Sequence, residues 1–176
     1  NMPQIRNSLL AIDPGTRHLG YAGFIGETLD DFGVRDLWYR RNGGDVFTAV
    51  TSVVTVLLDQ KRPQAVVIEK NNFSQIRQNL QLTLVIGKIR QIARRHRIRV
   101  FELDPRTVRK VVCKDGNATK RELARTVTVR YPELRVYLES NRQWRERYFQ
   151  NAFDAAACGM TFLAMSRTFT KPRNGR

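Results

Sequence analysis

The chain has 176 residues, 41% of them hydrophobic, and 31 Lys and Arg against 16 acids leave a formal net charge of +15. That length suits one domain with a substantial core, and a pI near 10.8 points to a phosphate backbone as partner while saying little about fold. A tail-rich ribosomal or chromatin protein would be as basic but less apolar, the two cysteines (Cys113 and Cys158) lack the spacing of a disulfide framework or zinc site, and no run of 18 apolar residues is present to span a membrane.

Asn1 before Met2 reads as a residue left from a cleaved tag, so one domain is expected over 2–176, with 168–176 frayed. The thiols are expected to be reduced, in a cytoplasmic protein (nucleoid-associated if bacterial or phage).

Leu9–Ile12 is a short apolar run that reads as a buried strand and ends in the carboxylate of Asp13. Pro14 and Gly15 turn the chain, Gly15 through its tolerance of positive φ. A second strand returns over Leu19–Ile25, placing Asp13 at a hairpin tip open to solvent. Taken alone, this is also an ordinary Asp-Pro-Gly turn. A third strand is expected within Glu27–Tyr39, carrying Phe32, Val34, Leu37 and Tyr39. Asp45 has the place of an N-cap for a helix to about Gln60. Ala65–Ile68 is continuous and apolar, as in a central strand covered on both faces, and it too ends in a carboxylate, Glu69.

The pattern turns helical from Ser74 to about Arg95, then alternates over Ile98–Leu103 as in a half-buried edge strand. Asp104-Pro105 opens a short helix through about Val112, and a loop follows over 114–117. Thr119 is placed to cap a helix from Lys120 to Arg130, with Glu122 in its first turn. Residues 132–148 read as polar, basic and irregular, and a last helix spans about Gln150 to Ser166. Three antiparallel strands, a helix, two strands of parallel type and further helices give an α/β fold. It is a mixed five-stranded sheet flanked by helices, the element order of the ribonuclease-H-like architecture.

Fold alone does not give function. Asp13 and Glu69 end strands that would be neighbours at the sheet centre, and Asp154 on the last helix could cross that end. Clustered carboxylates repel unless a cation neutralises them, and oxygen donors favour Mg²⁺ or Mn²⁺ over zinc. Two such ions about 3.5–4 Å apart would suit phosphodiester hydrolysis. Each acid by itself is equally well a solvated strand or helix end.

The motifs Ile12-Asp13-Pro14-Gly15-Thr16 with Leu19-Gly20-Tyr21-Ala22, then Val66-Val67-Ile68-Glu69 with Phe73, resemble those of the RuvC-type Holliday-junction resolvases. The register from Arg106–Arg109 to Gly116–Lys120 resembles that family's basic helix and loop, and Asn151–Ala156 its final helix. The resemblance implies a homodimer making paired symmetric nicks in four-way junction DNA with Mg²⁺, Mn²⁺ substituting, and two ions per site. Asp13, Glu69, Asn151 and Asp154 would be the ligands, with Lys120 catalytic beside them. Phe73, Lys70, Arg77, Arg109, Lys120, Arg142 and Arg145 would contact DNA. A branch-migration motor is a candidate partner, and no membrane role is implied.

Position 151 departs from the family, which shows Asp or His there. Asn offers a carbonyl oxygen but is neutral and cannot serve as a base. It is either natural or an Asp→Asn change that traps uncleaved DNA, and it is expected to weaken one metal position and slow cleavage. Alternatives stand beside the leading reading: a non-catalytic junction binder with a degenerate metal site, or a related nuclease acting on hybrids or flaps. Phe73 is equally a core residue, Lys120 and Arg109 equally a solvated helix face, and Arg142–Tyr148 either a DNA-facing loop or a solvated one. His18 and His96 have no partner at metal-ligand spacing. Leu80, Leu82, Leu84, Val85 and Ile86 exceed what one sheet-covering face requires, which suits a two-fold interface.

Overall fold

Hydrophobic alternation along five strands sets the architecture, because each strand sends odd and even residues to opposite faces. The computed structural model describes residues 8–37, 45–70, 80–138 and 143–170, with the side chains of 143–147 and 167–170 excluded. The hub is β1 (Ser8–Asp13), antiparallel to β2 (His18–Ile25) and parallel to β4 (Ala65–Glu69). With β3 (Thr28–Asp36) and β5 (Arg99–Leu103) at the edges, the sheet order is β3-β2-β1-β4-β5. This is the expected α/β sheet of three antiparallel strands followed by two parallel ones.

Leu10, Ile12, Leu19, Tyr21, Val66 and Ile68 face one layer. It consists of α1 (Val46–Lys61) and α2 (Leu80–Arg95), which contribute Val50, Val54, Leu57, Val85, Ile89 and Ile92. Leu9, Ala11, Ala22, Phe24 and Val67 face the other, formed by α3 (Pro105–Cys113), α4 (Lys120–Arg130) and α6 (Gln143–Thr170). A short α5 (Arg135–Leu138) follows a 3-10 turn at Pro132–Leu134. Along α6, Ala152 to Cys158 are all buried, as small residues must be where a helix lies between a sheet and further helices. Among the described residues, no helix is long and apolar enough to cross a membrane.

The caps are where the sequence places them. Asp45 accepts the Thr48 amide at 2.9 Å, Asp104 accepts that of Arg106 at 2.9 Å, and Thr119 and Glu122 form a reciprocal capping box at the start of α4. Three expectations are corrected. Gly15 is not at positive φ; a Cβ there would lie 2.1 Å from the His18 carbonyl oxygen, so glycine serves close approach within the turn. Within the stretch 132–148 the described residues, 132–138 and 143–148, are helical, because apolar packing outweighs their polarity: Leu134 is fully buried, and the Tyr137 ring lies 4.0 Å from that of Phe149. The last helix accordingly begins at Gln143, well before Gln150, and its backbone runs to Thr170. The third strand stops at Asp36, and the first turns of the helix expected from Ser74 lie outside the described residues.

Candidate active site

Parity decides where the strand-end carboxylates point. Asp13 continues the face of Leu9 and Ala11, and Glu69 that of Val67, so both look toward α6. The parallel register pairs Ile12 with Ile68, so Asp13 and Glu69 come next on adjacent strand ends. Asp154, only 6% exposed, arrives from α6. Close approach depends on two glycines. Gly20 is the cross-strand partner of Asp13, and a Cβ there would fall 2.0 Å from the Asn151 carbonyl oxygen. Gly159 does the same on the helix side, where a Cβ would meet the Phe24 ring at 2.2 Å. The backbone of α6 therefore presses on β2 beside Asp13, and Asn151 and Asp154, three residues apart, share the helix face turned to it.

Asp154 is clamped. Its Oδ2 accepts from Lys120 Nζ at 3.1 Å and its Oδ1 from Gln150 Nε2 at 2.8 Å. The Lys120 side chain is 61% exposed, so its ammonium bridges the buried acid and solvent. Asp13 is partly buried under α6, a correction to the solvent-open tip expected of it. Burial, then the charges of Asp154 and Glu69, push its carboxyl well above the usual range, with Lys120 opposing. Glu69 is pushed up to about 7 by burial and Asp154, with Asp104 adding and Arg109 and Lys120 countering. Burial disfavours the charged form of Lys120, yet Asp154, Asp13 and Glu69 together raise its pKa. Beneath them Cys158 is held as a thiol by burial and by the same three acids.

The three carboxylates thus sense one another. Among the described residues, however, no three His, Cys, Asp or Glu side chains close into a cage as they stand. Lys120 and, for Glu69, Arg109 supply the nearby positive charge. A set of crowded carboxylate oxygens with one amide, whose raised pKa values show that the nearby cations do not relieve the crowding, fits a hard divalent cation.

Of the other expected site residues, Arg109 lies close enough to act on Glu69. Lys70 is exposed just beyond Glu69, its amide bonded to the Leu103 carbonyl at 2.9 Å. Phe73, Arg77 and Arg142 lie outside the described residues, and Arg145 is described by its backbone alone, within α6. The stretch Trp144–Tyr148 is helix, so the DNA-facing loop expected there does not form. Sequence reasoning missed Gly20 as a packing contact, Gln150 and Asp104. Gln150 was legible, since it precedes Asp154 by four residues on a helix; Asp104, the N-cap of α3, gave no sign of lying near Glu69.

A profile of the family described as crossover junction endodeoxyribonuclease RuvC matches residues 9–132. The chain belongs to the RuvC family. The matched segment holds Asp13, Glu69, Arg109 and Lys120 and ends before α6, so Asn151 and Asp154 lie beyond it. A RuvC of Chlamydia trachomatis is 28% identical over 137 residues, 72% of this chain and 79% of that protein. The structure of Thermus thermophilus RuvC superposes with a TM-score of 0.71 at 23% identity, covering 93% of this chain and 97% of that one. The same protein in complex with Holliday junction substrate gives 0.72 at 20%, covering 93% and 96%. At such identities these two likenesses establish a shared fold.

Proposed function

We propose that this RuvC-family chain is an endonuclease that resolves Holliday junctions by nicking two opposed strands. The observation that carries the reading is the convergence of Asp13 and Glu69, on adjacent parallel strands, with Asp154 pressed over them by α6. Asp13, Glu69, Asp154 and the Asn151 side chain would hold Mg²⁺ or Mn²⁺, two ions per site. Bound there, such ions supply an activated water and a counter-charge for the leaving oxygen. The protein's own share is to crowd the acids so that they demand a cation, and to keep bulk water away through α6. Lys120, half in solvent, is placed to release Asp154 and turn its charge to the scissile phosphate. Arg109 and Lys70 flank Glu69 and suit neighbouring phosphates, and the family resemblance adds Phe73, Arg77, Arg142 and Arg145 as further DNA contacts.

Four-way junctions are symmetric, so two sites are needed, and a homodimer supplies them. Its contact is the exposed stripe of α2, where Leu80 is 66% and Leu84 49% exposed, one turn apart. A motor that moves the junction would act upstream.

One observation favours a second reading. The neutral Asn151 weakens the metal site and suits a protein that binds junctions without cutting them. Cleavage of a labelled, mobile four-way junction in Mg²⁺ or Mn²⁺ by this chain and by Asn151→Asp separates the two. Paired symmetric nicks that quicken in the Asp variant support the nuclease with one weakened ligand. Tight binding with no nick by either form would install the non-catalytic reading, and hybrids cut as fast as junctions would point to another substrate.

A further inference from the structure

His18 plays no part in the carboxylate site, yet three elements converge to hold it. Its Nδ1 lies 2.7 Å from Asp36 Oδ1, and the two residues face each other across the β2–β3 ladder. The His18 and Tyr148 rings meet edge-on, with centroids 5.3 Å apart and an interplanar angle of 72°. Burial, then the nearby Asp36 carboxylate, raises the pKa of the Tyr148 hydroxyl, which places the two groups within electrostatic reach of each other. Asp36 therefore accepts from the His18 ring and, with the Tyr148 ring packed edge-on, fixes its orientation, as an outer carboxylate does for a functional histidine. With Nδ1 committed, Nε2 is the remaining hydrogen-bonding atom of the imidazole, on a side chain that is 42% exposed.

Its placement carries the argument. His18 precedes Gly20 by two residues, so both project to the α6 face of β2. Tyr148 precedes Asn151 by about one turn of α6. Gly20 meets Asn151 and His18 meets Tyr148, so the cluster is the next contact along the same strand–helix seam, outward from the carboxylates. Two residues of strand span about 7 Å, the scale of one nucleotide step.

We propose that His18 is a DNA contact, its Nε2 gripping the backbone phosphate next to the scissile one on the strand being cut. The inference rests on the junction-endonuclease reading. A phosphate at Nε2 requires an N–H there while Nδ1 donates to Asp36, so the gripping form is an imidazolium held between the phosphate and Asp36. The other charged or titratable groups around it, among the described residues, are few. Tyr148 comes from α6 and Arg17 from the adjoining turn. Arg35 of β3 is directed to the Tyr21 hydroxyl at 3.4 Å. In a merely structural role, the cluster would only pin the start of α6 to the sheet edge.

The test is junction affinity by fluorescence anisotropy in EDTA, across a salt series at about pH 6 and about pH 8, for wild type, His18→Ala and His18→Gln, with melting temperatures in parallel. At the lower pH, His18→Gln is expected to bind about ten-fold more weakly than wild type, and its log–log salt slope to be shallower by about 0.9, the signature of one lost phosphate contact. At the higher pH the gap closes. Variants that match wild type in slope and pH response would overturn the proposal. So would variants that lose affinity equally at both pH values along with melting temperature, since that marks a structural pin. If His18→Ala unfolds, His18→Gln decides by the same criteria. A wild type with no affinity for junctions would instead bring down the functional reading itself.

Discussion

Replacing Glu69 by Gln tests the electrostatics of the site without reference to cleavage. A carboxyl titrating at about 7 in place of 4.5 binds its proton more tightly folded than unfolded, so stability falls as pH rises between those two values. At about 1.4 kcal/mol per pK unit the loss is about 3 kcal/mol, and nearer 2 allowing for the solvent-facing flank of the site. Glu69→Gln removes that loss. Urea unfolding in EDTA should show both proteins about equally stable near the lower pH, and the variant ahead by about 2–3 kcal/mol above the upper one. That difference corresponds to roughly 4–12 °C in melting temperature for a chain of this size. Relief of Asp13, which Glu69 also strains, adds in the same direction. Mg²⁺ at the higher pH should reverse the order, stabilising wild type while moving the variant little. A variant no more stable than wild type in EDTA at alkaline pH would refute the account of crowded, under-neutralised acids.

Gly20→Ala should thrust a methyl toward the Asn151 carbonyl oxygen, 2.0 Å from its ideal position, and no rotamer of either residue relieves a backbone clash. A loss of about 1–3 kcal/mol in stability and roughly 100-fold in cleavage is expected, read from thermal melts and junction nicking; undiminished nicking would show that the seam does not set the site. Leu84→Glu on the exposed stripe of α2 should convert a dimer to monomers by sedimentation velocity at micromolar concentration, with the fold retained by circular dichroism. A wild type already monomeric there would remove the proposed interface.

What the sequence determined by itself is local or periodic. Alternation and apolar runs located five strands and put Asp13 and Glu69 at the ends of two of them. Cap residues at Asp45, Asp104 and Thr119 set helix starts, because a side chain and an amide two or three residues away settle that question without the rest of the chain. Tertiary structure decided what depends on distant surfaces meeting. Residues 132–148 are polar enough to read as loop, and the packing of Leu134, Tyr137 and Phe149 makes the described ones helix. Asp13 looked open because a hairpin tip usually is, until a helix more than a hundred residues later covers it through Gly20. The clamp on Asp154 and the His18–Asp36–Tyr148 cluster draw on separate elements, and hydrogen bonds between side chains far apart in sequence leave no periodic trace. Strand ends supply the acids by pattern; the seam between β2 and α6 makes them one site.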